Sequence, residues 1–209
     1  MARNKKSKNP NHPKEGSSTR VEPIRDQEVI QHIKDQLKDK PRDFCIFILG
    51  INTAYRANEL LSLSIGQVIN AKAGDSLPLK QSKTKKYRTV YLNPTCISSI
   101  QNWLRHHPDL TRKNPLFPSR KCNTETGRMQ SIQVSSLSRM VKDWCEPTKL
   151  TGNYASHSLR KTWGYHQRTM NNTPLPLLMH AFGHKSEAQT MNYLGIEDEE
   201  IRKLYEMEL

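Results

Sequence analysis

Two arginines, two histidines, a lysine and a tyrosine, spread over residues 56–193, are the side chains best equipped for chemistry. Arg56 stands in TAYRANELL with Glu59 three residues on, and Lys83 lies in KQSKTKKYRTVYL among Lys80, Lys85, Lys86 and Arg88. His157 and Arg160 share ASHSLRKTW with Lys161, His184 follows Gly183 in HAFGHKSEAQT, and Tyr193 comes nine residues after His184. Guanidiniums are planar two-pronged donors that stay charged at any working pH, a geometry lysine cannot copy. Two of them can hold the oxygens of a phosphate as negative charge builds in a transition state. A phenol with an ordinary pKa of about 10 is within reach of becoming a nucleophile. A lysine at a flexible tip can deliver a proton, and histidines titrate near neutrality.

Taken singly, each group has a plainer reading. Arg56 and Glu59 make an ordinary helix-start salt bridge. The basic segment around Lys83 reads as a solvated turn as readily as a phosphate contact, and Tyr193 as a core or interface aromatic. His180 and His184 have zinc-pair spacing, but Gly183 is expected to end the helix between them and no third ligand is near. His157 and Arg160, three apart on a helix, share a face and mean little alone.

The elements that must position these groups are mostly helical. Val29, Ile30, Ile33 and Leu37 recur at helical steps from Asp26, and Pro41 suits the first turn of a second helix over residues 42–54. That helix is apolar on most sides through Phe44, Cys45, Ile46, Phe47, Ile48 and Leu49, which places it in the core. A third helix is expected over 57–63. Gly74 and Asp75 mark a turn, after which LPLKQ and YRTVYL read as two short strands with residues 82–86 at their tip, one small sheet at most. Pro94 opens a helix with Ile97, Ile100, Trp103 and Leu104 on one face, and residues 106–128 read as a long Pro-rich connection. Further helices are expected over 133–145, 156–170, 175–182, 187–194 and 197–207. The class is mainly α with a small antiparallel hairpin.

The chain has 209 residues with 33 Lys and Arg against 20 Asp and Glu, a net charge of +13, and 34% hydrophobic residues. One main domain is the expectation. A mean hydropathy of −0.79 and the charged start MARNKKSKNP argue against a membrane span or a secretion signal. Cys45, Cys96, Cys122 and Cys145 form no CxxC pair, so reduced thiols in a cytoplasm are the economical reading. A pI near 9.7 points to a polyanionic partner, with nucleic acid the simplest. Residues 1–25 are a basic, low-hydropathy tail with too little apolar surface to order itself, able to act as a phosphate-binding arm. Residues 197–209 reverse the charge: removing them leaves 31 basic against 14 acidic residues, a net of +17. That acidic helix, with Ile201, Leu204, Tyr205 and Leu209 as a stripe, is expected to pack on protein.

In order and spacing, the set resembles the catalytic domain of the tyrosine recombinases, the phage integrase family. The features are T-x-x-R-x-x-E-L around Arg56, Lys83 on a hairpin, H-x-x-R at His157 and Arg160, G-H at Gly183 and His184, and Tyr193 nine residues later. The resemblance covers residue 26 to the end. Two departures touch packing neighbours and leave the polar atoms alone: Thr53, Ala54, Tyr55 and Arg56 stand where relatives often read TGLR, and Phe182, Gly183 and His184 replace LGH. Many relatives carry a core-binding domain ahead of the catalytic one. In having only a basic tail and one helix there, the chain is similar to short recombinases that invert fimbrial switch segments.

The resemblance implies a site-specific DNA recombinase that cleaves and rejoins strands through a 3′-phosphotyrosyl intermediate. It implies Tyr193 as nucleophile, Arg56 and Arg160 on the phosphate, Lys83 as acid on the leaving 5′ oxygen, and His157 and His184 as proton carriers or phosphate donors. Glu59 is assigned a supporting, orienting role, and Lys80, Lys85, Lys86, Arg88 and Lys161 contacts to DNA. No cofactor or metal is expected. The partners implied are double-stranded DNA, a homo-tetramer on paired sites joined through residues 197–209, and accessory DNA-bending proteins, with a cytoplasmic, nucleoid-associated location. Residues 26–196 would form the catalytic domain. The rival readings are a non-catalytic DNA-binding relative and an enzyme of the same chemistry, a type IB topoisomerase or a telomere resolvase.

Overall fold

A computed structural model describes the backbone of residues 20–80, 87–122, 126–195, 202, 205, 206 and 208, with side chains at these positions apart from 78–80, 87, 88 and 121. The architecture is mainly helical with two small antiparallel hairpins. The helices are α1 (Gln27–Leu37), α2 (Pro41–Asn52), α3 (Ala57–Leu61), α4 (Ile65–Val68), α5 (Pro94–Leu104), α6 (Val134–Cys145), α7 (Ser156–Thr169), α8 (Leu175–Phe182) and α9 (Glu187–Leu194). Strand β1 (Ser76–Lys80) pairs with β2 (Tyr87–Tyr91), and β3 (Pro118–Cys122) with β4 (Met129–Ser131).

Helix α2 is the centre of the molecule. Pro41 starts it at a position where the missing N–H costs nothing, and Cys45 to Gly50 are all buried. It lies against α1, α5 and α7. Phe47 meets Trp144 of α6 edge to face, with ring centroids 5.9 Å apart. Burying a side chain of that kind stabilises the fold by roughly 1.5–3 kcal/mol. Asp26 and Asn93 cap α1 and α5 by accepting from the amides of Glu28 and Cys96.

Four differences from the sequence expectation have physical causes. α3 stops at Leu61, where the last turn tightens: the Ser62 amide is shared between the carbonyls of Asn58 and Glu59, and Ser62 Oγ donates to Glu59 O at 2.8 Å. A one-turn helix, α4, follows Ser64, whose amide donates to the Gln67 side chain at 2.8 Å. The expected connection over 106–128 contains β3, so the described residues hold two hairpins and not one. Neither β3 nor β4 alternates apolar with polar residues, and what fixes them is tertiary. Leu116 and Phe117 are wholly buried, Leu116 N donates to Leu63 O at 2.7 Å, and Ser131 Oγ donates to Leu61 O at 2.5 Å. Residues 20–25, placed in the tail by composition, run against α7: Ile24 is buried and its amide donates to Thr162 Oγ1 at 2.8 Å.

A second, smaller cluster packs beside the main core: Ala54, Leu178, Phe182 and Leu194, with Trp163, Tyr165, Met191 and Tyr193 around it. Gly164 makes this contact close. A Cβ there would stand 2.4 Å from Phe182 Cζ and 2.7 Å from a Leu194 methyl, so only glycine lets α8 and α9 settle onto α7. The cysteines are free thiols, and burial pushes Cys45 up to about 12 and Cys96 and Cys145 to about 11, keeping them protonated. Among the described residues no helix is long and apolar enough to cross a membrane.

Candidate active site

The C-terminus of α8 gathers the two arginines. The helix closes on Gly183 at φ 64°, with the Gly183 amide bonded to His180 O and the His184 amide to Met179 O, each at 3.0 Å. This Schellman turn needs a residue that tolerates the left-handed region, and it places His184 at the first position beyond. It also leaves the Phe182 carbonyl at the negative end of the helix dipole. Arg56 Nη2 donates to that oxygen at 3.2 Å and Arg160 Nη2 at 2.7 Å.

Glu59 holds the pair from the other side. Arg56 is the N-cap of α3 and Glu59 its third residue, so the carboxylate accepts from the Arg56 amide at 2.7 Å and from Arg56 Nη1 at 2.8 Å. The oxygen that accepts from the Arg56 amide, Oε2, also lies 3.9 Å from Arg160 Nη1, and Glu59 is buried. One carboxylate set between two guanidiniums leaves a net positive charge suited to an anion.

Helix α7 supplies three basic side chains of different exposure. Arg160 is 2% exposed, also donates to the Ala54 carbonyl, and lies over the Phe182 ring with its guanidinium carbon 4.7 Å from the centroid. His157 faces solvent on one side, yet enough protein surrounds its ring that burial, then the charges of Arg160, Arg56 and Lys161, hold its pKa below the ordinary histidine value. Lys161 is buried, with its Nζ 5.1 Å from the centroid of Tyr193, and burial lowers its pKa to about 8.

Tyr193, next to the last residue of α9, completes the cluster. Its ring centroid is 5.2 Å from that of His184 and 5.3 Å from that of Phe182, and His184 stacks on Phe182 at 5.0 Å. His184 Nδ1 is 3.1 Å from Thr190 Oγ1, within hydrogen-bond distance. The Tyr193 hydroxyl is buried and makes no hydrogen bond of normal geometry among the described residues. Burial raises its pKa, against which Arg160 and then Arg56 favour the phenolate. A cleft of about 420 Å³, lined by Arg20, His157, Lys161, His184, Gln189 and Tyr193, opens onto this group.

The structure thus brings together Arg56, Glu59, His157, Arg160, Lys161, His184 and Tyr193, from α3 and its N-cap, α7, α9 and the turn after α8. Lys83, Lys85 and Lys86, and the side chains of Lys80 and Arg88, lie outside the described residues. So does most of the helix expected over 197–207; of it, Tyr205 is exposed and Arg202 pairs with Glu206 at 3.2 Å. Lys161, expected as a DNA contact, packs beside Tyr193. One residue lining the cleft escaped the sequence reading. Arg20, assigned to the tail, reaches the cleft from 173 residues before Tyr193, a separation with no local signature.

The phage integrase family model matches residues 24–200. The probable integrase/recombinase YoeC of Bacillus subtilis is 32% identical over 190 residues, 90% of this chain and 96% of that protein. Tyrosine recombinase XerC of Caldanaerobacter subterraneus is 28% identical over 167 residues, 78% of this chain and 44% of that protein. Among solved structures, the XerH site-specific recombinase bound to palindromic difH substrate has a TM-score of 0.65 at 20% identity, over 90% of this chain and 53% of that one. The chain belongs to the phage integrase family. Its fold is that of a tyrosine recombinase catalytic domain, and its family and its recombinase relatives place it among the site-specific recombinases.

Proposed function

We propose that the chain cuts and reseals double-stranded DNA through a bond between Tyr193 and the 3′ phosphate of the broken strand. The observation that carries this reading is the convergence of Arg56 and Arg160 on the Phe182 carbonyl, inside the cluster that holds Tyr193 and His184. A phosphodiester entering there gains negative charge as the phenol oxygen attacks phosphorus, and the two guanidiniums are fixed where that charge appears. The Tyr193–phosphorus bond forms as the bond to the 5′ oxygen breaks. That oxygen takes a proton from Lys83, and the phenol proton passes to His157 or His184. His157, with its lowered pKa, is neutral at pH 7 and able to accept it. Attack by a 5′ hydroxyl reverses the steps and reseals a strand, with no metal or cofactor required.

Burial keeps Tyr193 a phenol until attack begins. The nearby Arg160 guanidinium favours the phenolate that attack requires. Glu59 orients Arg56. The net charge of +13 supports a DNA partner, with Lys80, Lys85, Lys86, Arg88 and the tail before residue 20 on the backbone. In this reading residues 26–196 do the chemistry, and residues 197–209 dock on a neighbouring subunit of a tetramer assembled on paired sites. Accessory DNA-bending proteins assist, and the protein resides with the nucleoid.

Separating binding from cleavage tests the arginine roles. Arg56→Ala or Arg160→Ala is expected to lower strand cleavage about a hundredfold to a thousandfold while leaving DNA affinity within severalfold. Equal loss of binding and cleavage would overturn them.

A further inference from the structure

We infer that residues 20–25 form a strap that fixes the Tyr193 helix in the active site, with Arg20 and Arg25 as positioning residues for the nucleophile. The inference rests on Tyr193 being that nucleophile. The strap is anchored on the rigid side of the molecule. Ile24 is wholly buried in the main core, its amide donates to Thr162 Oγ1 at 2.8 Å, and its carbonyl is 3.0 Å from His166 Nε2, both on α7. The Glu22 amide donates to Asn153 O at 2.8 Å. From this anchor two guanidiniums reach the far end of α9. Arg20 Nη2 donates to the Asn192 carbonyl, and Arg25 Nη2 donates to the Gly195 carbonyl at 3.2 Å.

These carbonyls flank Tyr193 at the end of a helix, where main-chain oxygens lack partners within the helix and the dipole is negative. Gly195, the C-cap of α9, leaves room for the contact: a Cβ there would stand 3.1 Å from Arg20 Nη2. α9 has eight residues and buries only Thr190 and Leu194, so its own packing is slight. The strap therefore ties the nucleophile's helix to α7, which carries His157 and Arg160, and sets the distance between the attacking oxygen and the phosphate-binding cations.

Arg20 also lines the cleft, so a direct phosphate contact would be the alternative role. Arg25 separates the two, because it grips α9 without lining the cleft. On saturating suicide substrate, Arg20→Ala and Arg25→Ala are each expected to slow single-turnover cleavage about tenfold, a fraction of what a misplacement of about 1 Å can cost. Arg20→Lys, which can still donate to Asn192 O, should recover most of the rate. Amide exchange over residues 187–195 should accelerate in both alanine variants while that of α2 stays unchanged. Slowing by Arg20→Ala alone would make Arg20 a phosphate ligand and overturn the strap, as would unchanged or faster cleavage in both. Failure of the Tyr193 reading looks different: an adduct would persist in Tyr193→Phe whatever Arg20 does.

Discussion

The main core and the small cluster around Phe182 divide the work of the molecule unequally. The main core is built on α2, buried on nearly every side, and fixes the start of α3, hence Arg56 and Glu59. The Phe182 cluster contains four buried apolar residues, and it carries His184 and Tyr193. Arg160 belongs to both, bonded to Ala54 O and Phe182 O and close to Glu59. In the proposed reaction the groups that receive the phosphate therefore stand on the side packed on the main core and the attacking group on the lightly held side. A nucleophile that must approach, bond and later release phosphorus suits an element with a low cost of local opening.

Two large-to-small substitutions should break this comparison most visibly. Phe182→Ala removes the ring under Arg160 and beside His184 and Tyr193, and the account expects cleavage to fall about a hundredfold as those groups lose their fixed geometry. The stability lost, about 3–5 kcal/mol for a ring this buried, should fall mainly on local opening of α8 and α9 and less on unfolding of the main core. Phe47→Ala should do the reverse, costing roughly 3–5 kcal/mol of global stability while the folded fraction cleaves at the wild-type rate. Denaturant melts paired with single-turnover cleavage check both, and identical profiles for the two variants would dissolve the distinction. Gly164→Ala should be milder, pushing Phe182 and Leu194 off α7 at a cost of about 1–3 kcal/mol and impairing cleavage more than global stability.

The smallest expected effect concerns Lys161. Its folded pKa of about 8 lies below the ordinary 10.5, so the unfolded chain binds more protons between those values and wild-type stability gains from this group as pH rises from 8 to 10. Below pH 8 the cost of burying the charge is fully present. Lys161→Met should therefore show its largest relative advantage at pH 7 and lose it toward pH 10. A gap independent of pH in paired melts would mean that the lysine is not buried as a cation.

What the sequence disclosed follows from where the signal is local. Helical periodicity gave α8 and α9 their observed ends, and the G-H pair gave the left-handed cap at Gly183, because each depends on neighbours within a turn. The spacing of Arg56, His157, Arg160, His184 and Tyr193 was legible as a set, but not that one carbonyl would gather both guanidiniums. Glu59 was read as an orienting group, and its contact with Arg160 as well as Arg56 needed the fold. The β3–β4 hairpin was hidden because PSRKC has no strand pattern and is held by Leu116 and Phe117 in the core. Arg20 was hidden because its partner carbonyl at Asn192 is 172 residues away.

Covalent trapping tests the central claim most directly. Nicked suicide substrates carrying candidate sites from DNA flanking the gene are mixed with wild-type protein and with Tyr193→Phe, denatured, and digested to map the attachment point. A protein–DNA adduct is expected in the wild type, attached at Tyr193 to a 3′ phosphate, and none in the variant. An adduct of equal yield in Tyr193→Phe, or one mapped to another side chain, would contradict it.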